Sequence, residues 1–95
     1  MPVISPTFLV CPNPFRSSTT IWINQESDTN IEVTIFNTAG RLIRTISPEE
    51  DRDDNIYPVA WDGIDENGSL ITHGIYFIRS RIGNTCQTVP VVFMR

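Results

Sequence analysis

The stretch from Tyr57 to Ile78, YPVAWDGIDENGSLITHGIYFI, constrains the fold more than any other part of the chain. Val59 and Trp61 alternate with small or polar neighbours, Asp62-Gly63 and Asn67-Gly68 break the run, and Ile75, Phe77 and Tyr76, Ile78 resume it on alternating sides. A period of two marks a half-buried strand. Glycine and asparagine reach positive backbone angles cheaply, while aspartate and asparagine side chains bond the backbone two residues on. The stretch therefore predicts strand, polar turn, strand, with Trp61 in the core.

The rest of the chain supplies the strands this unit must pack against. Thr7 to Cys11 reads as a first strand, ended by Pro12-Asn13-Pro14, where two prolines remove ladder donors. Thr19 to Gln25 places Ile21 and Ile23 on one face and Thr20, Trp22 and Asn24 on the other, so Trp22 is expected to face outward or sideways. After the polar turn Glu26-Ser27-Asp28-Thr29, the segment Asn30 to Phe36 turns Ile31, Val33 and Ile35 inward, and the two strands are expected to form a hairpin. Asn37-Thr38-Ala39-Gly40 makes the next turn, and Arg41 to Ile46 is a strand of ambiguous register. Ser47, Pro48 and Glu50 have the spacing of a helix capping box, but no apolar face follows, so Ser47 to Asn55 is expected to be a solvated loop with at most one helical turn. Tyr57 to Trp61, His73 to Arg81 and Thr85 to Phe93 complete the set, the last two joined by Ile82-Gly83-Asn84. Pro90 marks the final strand as an edge or bulged strand. About seven strands with regular turns predict an all-β antiparallel two-sheet sandwich of immunoglobulin or fibronectin type III character, a single domain over residues 1–95.

Charge and composition exclude several functions. A net charge of -4 disfavours binding to a phosphate backbone, which depends on basic side chains releasing counterions, so no nucleic-acid partner is expected. All seven basic residues are arginine. No apolar run is long enough to span a bilayer, and no membrane insertion is expected. Met1 to Ser5 lacks the charged, apolar and small-residue regions of a signal peptide, so an export signal, if the protein is secreted, is expected upstream in a longer polypeptide.

Few residues carry chemistry. The lone histidine, His73, has no nucleophile and orienting acid in a pattern that suggests a triad, and neither catalysis nor a cofactor is expected. Asp62, Asp65 and Asn67 are calcium candidates by residue type, although the order of an EF-hand loop is not met and calcium needs six or more oxygens. The competing reading is an Asx-turn network. Glu49, Glu50, Asp51, Asp53 and Asp54 form an acidic cluster that reads as a solvated face, with weak cation binding as the alternative. Trp22, Trp61, Tyr57 and Tyr76 are candidates for a sugar-stacking platform, but Trp61 and Phe77 are expected to fill the space between the sheets, which leaves Trp22. Cys11 and Cys86, in the first and last strands, are either a possible disulfide or two small buried apolar residues.

Trp61-Asp62-Gly63, Asp65, Asn67-Gly68 and then Gly74-Ile75-Tyr76-Phe77 resemble the immunoglobulin-like module of flagellar hook-capping proteins. A similar module ends many bacterial secreted proteins, where it resembles the sorting domain of the type IX (Por) secretion system. Asn13-Pro14-Phe15, Thr19-Thr20-Ile21 and the run from Ile35 to Ile46 match the same pattern in the same order, so the likeness extends from about Asn13 to Arg95. It implies a non-catalytic C-terminal module of a larger bacterial protein, secreted or at the cell surface after passage through the periplasm. The module is then a monomeric, folded address for protein secretion machinery, open to later removal by a sortase-like protease, with Val91, Val92, Phe93, Met94 and Arg95 as the sorting strand. The rival expectation is a passive accessory or spacer module docked on the adjacent domain, with weak carbohydrate or calcium binding. Family members often end with lysines flanking an apolar run, whereas Thr88 to Arg95 offers only the terminal arginine, a departure that suits the rival.

Overall fold

The computed structural model describes residues 7–24, 31–47 and 56–94. Within them the alternating segments form β1 (Thr7–Cys11), β2 (Thr19–Asn24), β3 (Ile31–Asn37), β4 (Leu42–Ile46), β5 (Ile56–Trp61), β6 (Gly74–Ile82) and β7 (Thr85–Phe93). Every pairing is antiparallel, in a three-stranded sheet of order β1-β2-β5 and a four-stranded sheet of order β4-β3-β6-β7. The two sheets enclose one core, as the all-β sandwich expectation requires. Among the described residues no helix is long and apolar enough to cross a membrane.

The expected hairpin between the second and third strands does not form: β2 pairs with β1 and β5, and β3 pairs with β4 and β6. Ile21 and Ile23 on one strand and Val33 and Ile35 on the other are fully buried. A one-sided apolar strand can meet another side by side or across the interior, and here the pair divides between the two sheets. The polar turn that joins them, Glu26 to Thr29, lies outside the described residues, as do the acidic cluster and the capping-box positions Pro48 and Glu50.

Turn chemistry fixes the true hairpins. Asn37 Oδ1 accepts from the N–H groups of Ala39 (3.0 Å) and Arg41 (2.9 Å), while Gly40 takes the left-handed conformation (φ 80°) that closes the turn between β3 and β4. The register then shifts between Ile35 and Phe36, whose partners on β4 are Arg44 and Leu42. This bulge explains why β4 alternates poorly, since it brings both Ile43 and Ile46 against the core. Gly83 and Asn84 form the two-residue loop between β6 and β7.

On β6 the inward residues are Tyr76, Ile78, Ser80 and Ile82. Phe77 is only half-buried on the opposite face, so the ring that joins Trp61 between the sheets is Tyr76 rather than Phe77. Phe77 had two apolar neighbours in sequence, and local pattern could not settle which side the sandwich would cover. Tyr76 keeps its polar end satisfied by donating to the Thr72 carbonyl at 2.8 Å, a tyrosine-corner arrangement typical of such sandwiches.

Trp61 is fully buried, and its indole N–H donates to the Ile64 carbonyl at 3.1 Å. Trp61→Ala should therefore lower stability by about 3–5 kcal/mol, the range for emptying a large aromatic site. A denaturant midpoint that hardly moves would place the ring at the surface.

Two buried hydroxyls differ in their surroundings. Thr19 donates to the Pro12 carbonyl at 2.7 Å, whereas the Ser80 hydroxyl, between Ile78 and Ile82, has no hydrogen-bond partner among the described residues. Removing an unsatisfied buried group recovers its desolvation cost, so Ser80→Ala should raise the unfolding free energy by about 1 kcal/mol. A loss of stability on urea unfolding would show that the hydroxyl is bonded in solution.

Candidate functional site

β7 is an edge strand, and its C-terminal half serves two faces at once. Val91 and Phe93 are buried in the core, while Val92 is half-buried and Met94 is 45% exposed. Arg95 lies outside the described residues.

The free edge of this half-strand is closed by the segment that enters β2. Phe15 forms a parallel bridge with Phe93: its N–H donates to the Val92 carbonyl at 2.9 Å, and the Met94 N–H donates to its carbonyl at 2.8 Å. One step back, Asn13 continues the ladder with its side chain. Its amide N–H donates to the Pro90 carbonyl at 3.1 Å, and its Oδ1 accepts from the Val92 N–H at 3.0 Å. Pro90 has no N–H to offer on that edge, which suits its position there.

The outward residues of β7 extend a surface across the four-stranded sheet. Register aligns Leu42, Phe36, Phe77 and Pro90 in one row and Ile75 with Val92 in the next. These six apolar side chains are exposed or half-buried and make a continuous patch that ends beside Met94. An open cleft of about 880 Å³ adjoins it, lined by Arg16, Ser17, His73, Gly74, Val92, Phe93 and Met94. His73 is exposed there, at the rim beside the end of β7.

Each aspartate of the β5–β6 connection turns its Oδ1 to the backbone of the loop. Asp65 Oδ1 accepts from the N–H groups of Asn67 and Ser69, both at 2.9 Å. Asp62 Oδ1 accepts from the Ile64 N–H (3.2 Å) and from the Arg44 guanidinium (3.1 Å). Asn67 enters this network as a backbone donor and is otherwise exposed. Such Asx turns shape the loop. Its tip also reaches β4: the Glu66 N–H donates to the Ile43 carbonyl at 2.9 Å, and its carboxylate accepts from the Thr45 N–H at 3.3 Å. Among the described residues no group of three or more His, Cys, Asp or Glu is placed to hold a metal ion.

The possible disulfide is not formed. Cys11 closes β1 opposite Thr20, Cys86 lies on β7 opposite Arg81, and both thiols are free and exposed. The exposure also corrects the reading of them as buried apolar residues. The Cys86 sulfur instead lies 3.9 Å from Arg79 Nη2.

With this geometry in place, comparison with known families is decisive. The sequence model of the FlgD Ig-like domain matches residues 16–80, more than half of the chain. The chain belongs to the FlgD Ig-like domain family. Among solved structures, this FlgD Ig-like domain is similar to dimeric latent PorU from Porphyromonas gingivalis, with 23% identity and a TM-score of 0.72 over 97% of the chain. It is also similar to PorZ of Porphyromonas gingivalis, described as an essential bacterial surface component of the type IX secretion system, with 20% identity and a TM-score of 0.65 over 93% of the chain. At these identities the likeness is one of fold. The chain spans only 10% of the length of the first and 11% of the second. Comparison with curated proteins gives no match.

Two positions that close the edges of the four-stranded sheet escape a local reading. Asn13 bonds residues near the far end of the chain, and Glu66 bonds a strand that precedes it, so neither contact leaves a local periodic trace. Asn13→Ala removes both side-chain bonds to β7 and should cost about 1–2 kcal/mol, with faster amide exchange at Val92 than at the central Ile78. An unchanged midpoint and unchanged exchange would mean that water replaces the clamp without loss.

Proposed function

We propose that this domain is a non-catalytic sorting module, read as a folded unit by bacterial protein secretion machinery on the way from the periplasm to the cell surface. The observation that carries the reading is the double use of β7. Val91 and Phe93 complete the core, and on the same strand Val92 and Met94 stand at the edge of an apolar patch beside an open cleft. A partner that reads this end finds it only after the sheet has closed. The fold likeness to PorZ, a surface component of the type IX secretion system, supports the setting. FlgD Ig-like domains are small modules that typically carry no catalysis, and what this end of the sandwich offers is a surface for a protein.

The test fuses residues 1–95 behind an unrelated periplasmic cargo in a host that has the machinery. The cargo should reach the surface, whereas Met94→Asp or Ile75→Asp, each at an exposed position and leaving the melting temperature unchanged, should retain most of it in the periplasm. Wild-type fusion that stays periplasmic while folded, with native substrates exported normally, would sink the sorting reading and leave the accessory-module reading in place.

A further inference from the structure

The outer face of the three-stranded sheet carries a second surface. Among the residues whose side chains are described, register sets the outward ones in two rows, Leu9–Trp22–Pro58 and Cys11–Thr20–Ala60. None of the six is charged, in a chain where 19% of residues are. The two largest are both exposed, Leu9 at 58% and Trp22 at 42%.

An antiparallel sheet with one solvated face ordinarily alternates apolar in and polar out. The four-stranded sheet obeys this over part of its outer face, where Glu32, Thr34, Arg79 and Arg81 stand in cross-strand register. The uncharged rows are therefore a property of this surface and not of the fold. A tryptophan at the centre of such a row, flanked by an aliphatic side chain and a proline, has the composition of an interface anchor, where aromatic residues are enriched and charge is depleted. It does not suit a sugar. Leu9 and Pro58 offer no side-chain hydrogen-bonding group beside the ring, and Trp61 and Tyr76, the rings that would have widened a platform, are buried in the core.

The size of the face selects its occupant. Three strands about 4.8 Å apart and the three register rows along them project an area of roughly 300 Å², or about 600 Å² counted on both partners. Specific complexes between free proteins bury about 1,200 Å² or more, so neither a free partner nor a second copy is held well by this face. A domain linked to it by a short tether meets it at an effective concentration in the millimolar range, at which a small apolar contact is occupied. We infer that the Leu9–Trp22–Pro58 face docks an uncharged, apolar surface of an adjoining domain of the same polypeptide. The inference rests on the reading of this chain as one module of a longer protein.

Hydroxyl-radical footprinting by mass spectrometry tests it on the 95-residue chain and on the full-length polypeptide side by side. Trp22 should be freely oxidised in the isolated chain and at least about fivefold protected in the full-length protein. Trp22→Glu in the full-length protein should restore the reactivity of Leu9 to its isolated value and increase the radius of gyration in solution scattering, and Leu9→Glu should likewise unprotect Trp22. Both positions point outward, so the melting temperature of the isolated variants should match the wild type. Equal reactivity of Trp22 in the two polypeptides overturns the docking face and leaves the modular reading intact. A full-length protein with no further domain overturns both. Protection of Trp22 in the isolated chain at micromolar concentration, with dimers in sedimentation, overturns the tethered occupant in favour of a second copy.

Discussion

Four aromatic rings at one end of the sandwich hold together elements that are distant in sequence. Phe93 packs on Phe15 with centroids 5.0 Å apart, Phe15 on Trp61 at 5.4 Å, and Trp61 edge-on to Tyr76 at 5.8 Å. They come from β7, the entry to β2, β5 and β6, so the cluster ties both sheets and the approach segment into one unit. Edge and tilted geometries of this kind add to the burial of the rings themselves. The surrounding backbone is shaped to admit them. Gly63 takes a left-handed conformation (φ 76°), and a side chain there would place its Cβ 3.2 Å from Phe93 Cε1. The Trp61 indole and the Tyr76 hydroxyl each find a carbonyl in the same β5–β6 connection.

The same connection and the same approach segment also close the edges of the four-stranded sheet. An exposed edge offers unpaired N–H and C=O groups to any passing strand. On the β7 side, Asn13 and Phe15 take up the groups of residues 90, 92 and 94. On the β4 side, Glu66 does so for Ile43 and Thr45, its carboxylate standing in for a strand carbonyl. Loop residues that by type alone suggested a calcium site thus have a structural task. Asp65 folds the turn that carries Glu66 to β4, and Asp62 holds Arg44 on the same strand.

Most of the strands were legible because a buried apolar face keeps a period of two, as in β2 and β3, and their turns because Asn37-Gly40 and Asp65-Gly68 have residue types with few other uses. What the alternation does not encode is the partner. β2 and β3 both show a buried apolar side, and that fact is silent about whether they pair in one sheet or face each other across the core. The choice between Tyr76 and Phe77 failed for a related reason. Both sides of β6 are apolar at that point, because the outer side contributes Ile75 and Phe77 to the surface patch. Of the candidate site, Val91 and Phe93 were legible as strand residues, whereas the Asn13 clamp and the patch exist only once distant strands are brought into register.

On the sorting reading, this architecture makes the address discontinuous. The cleft at the end of β7 takes Arg16 and Ser17 from the entry to β2, His73 and Gly74 from the start of β6, and residues 92 to 94 from the final strand. A linear signal would be readable on an unfolded chain. One assembled from three segments exists only when Phe15 has bridged Phe93, so its recognition reports that the module is complete. The departure of the final run from the lysine-flanked ending also takes on a different meaning. Val89 to Met94 carries no basic residue, yet Arg16 lines the cleft beside Met94, so a positive charge reaches the described end of β7 from a segment far away in sequence. If the partner reads charge there, it reads a residue that can reach that place only through the aromatic cluster, and the fidelity of export then depends on the same contacts that hold the fold.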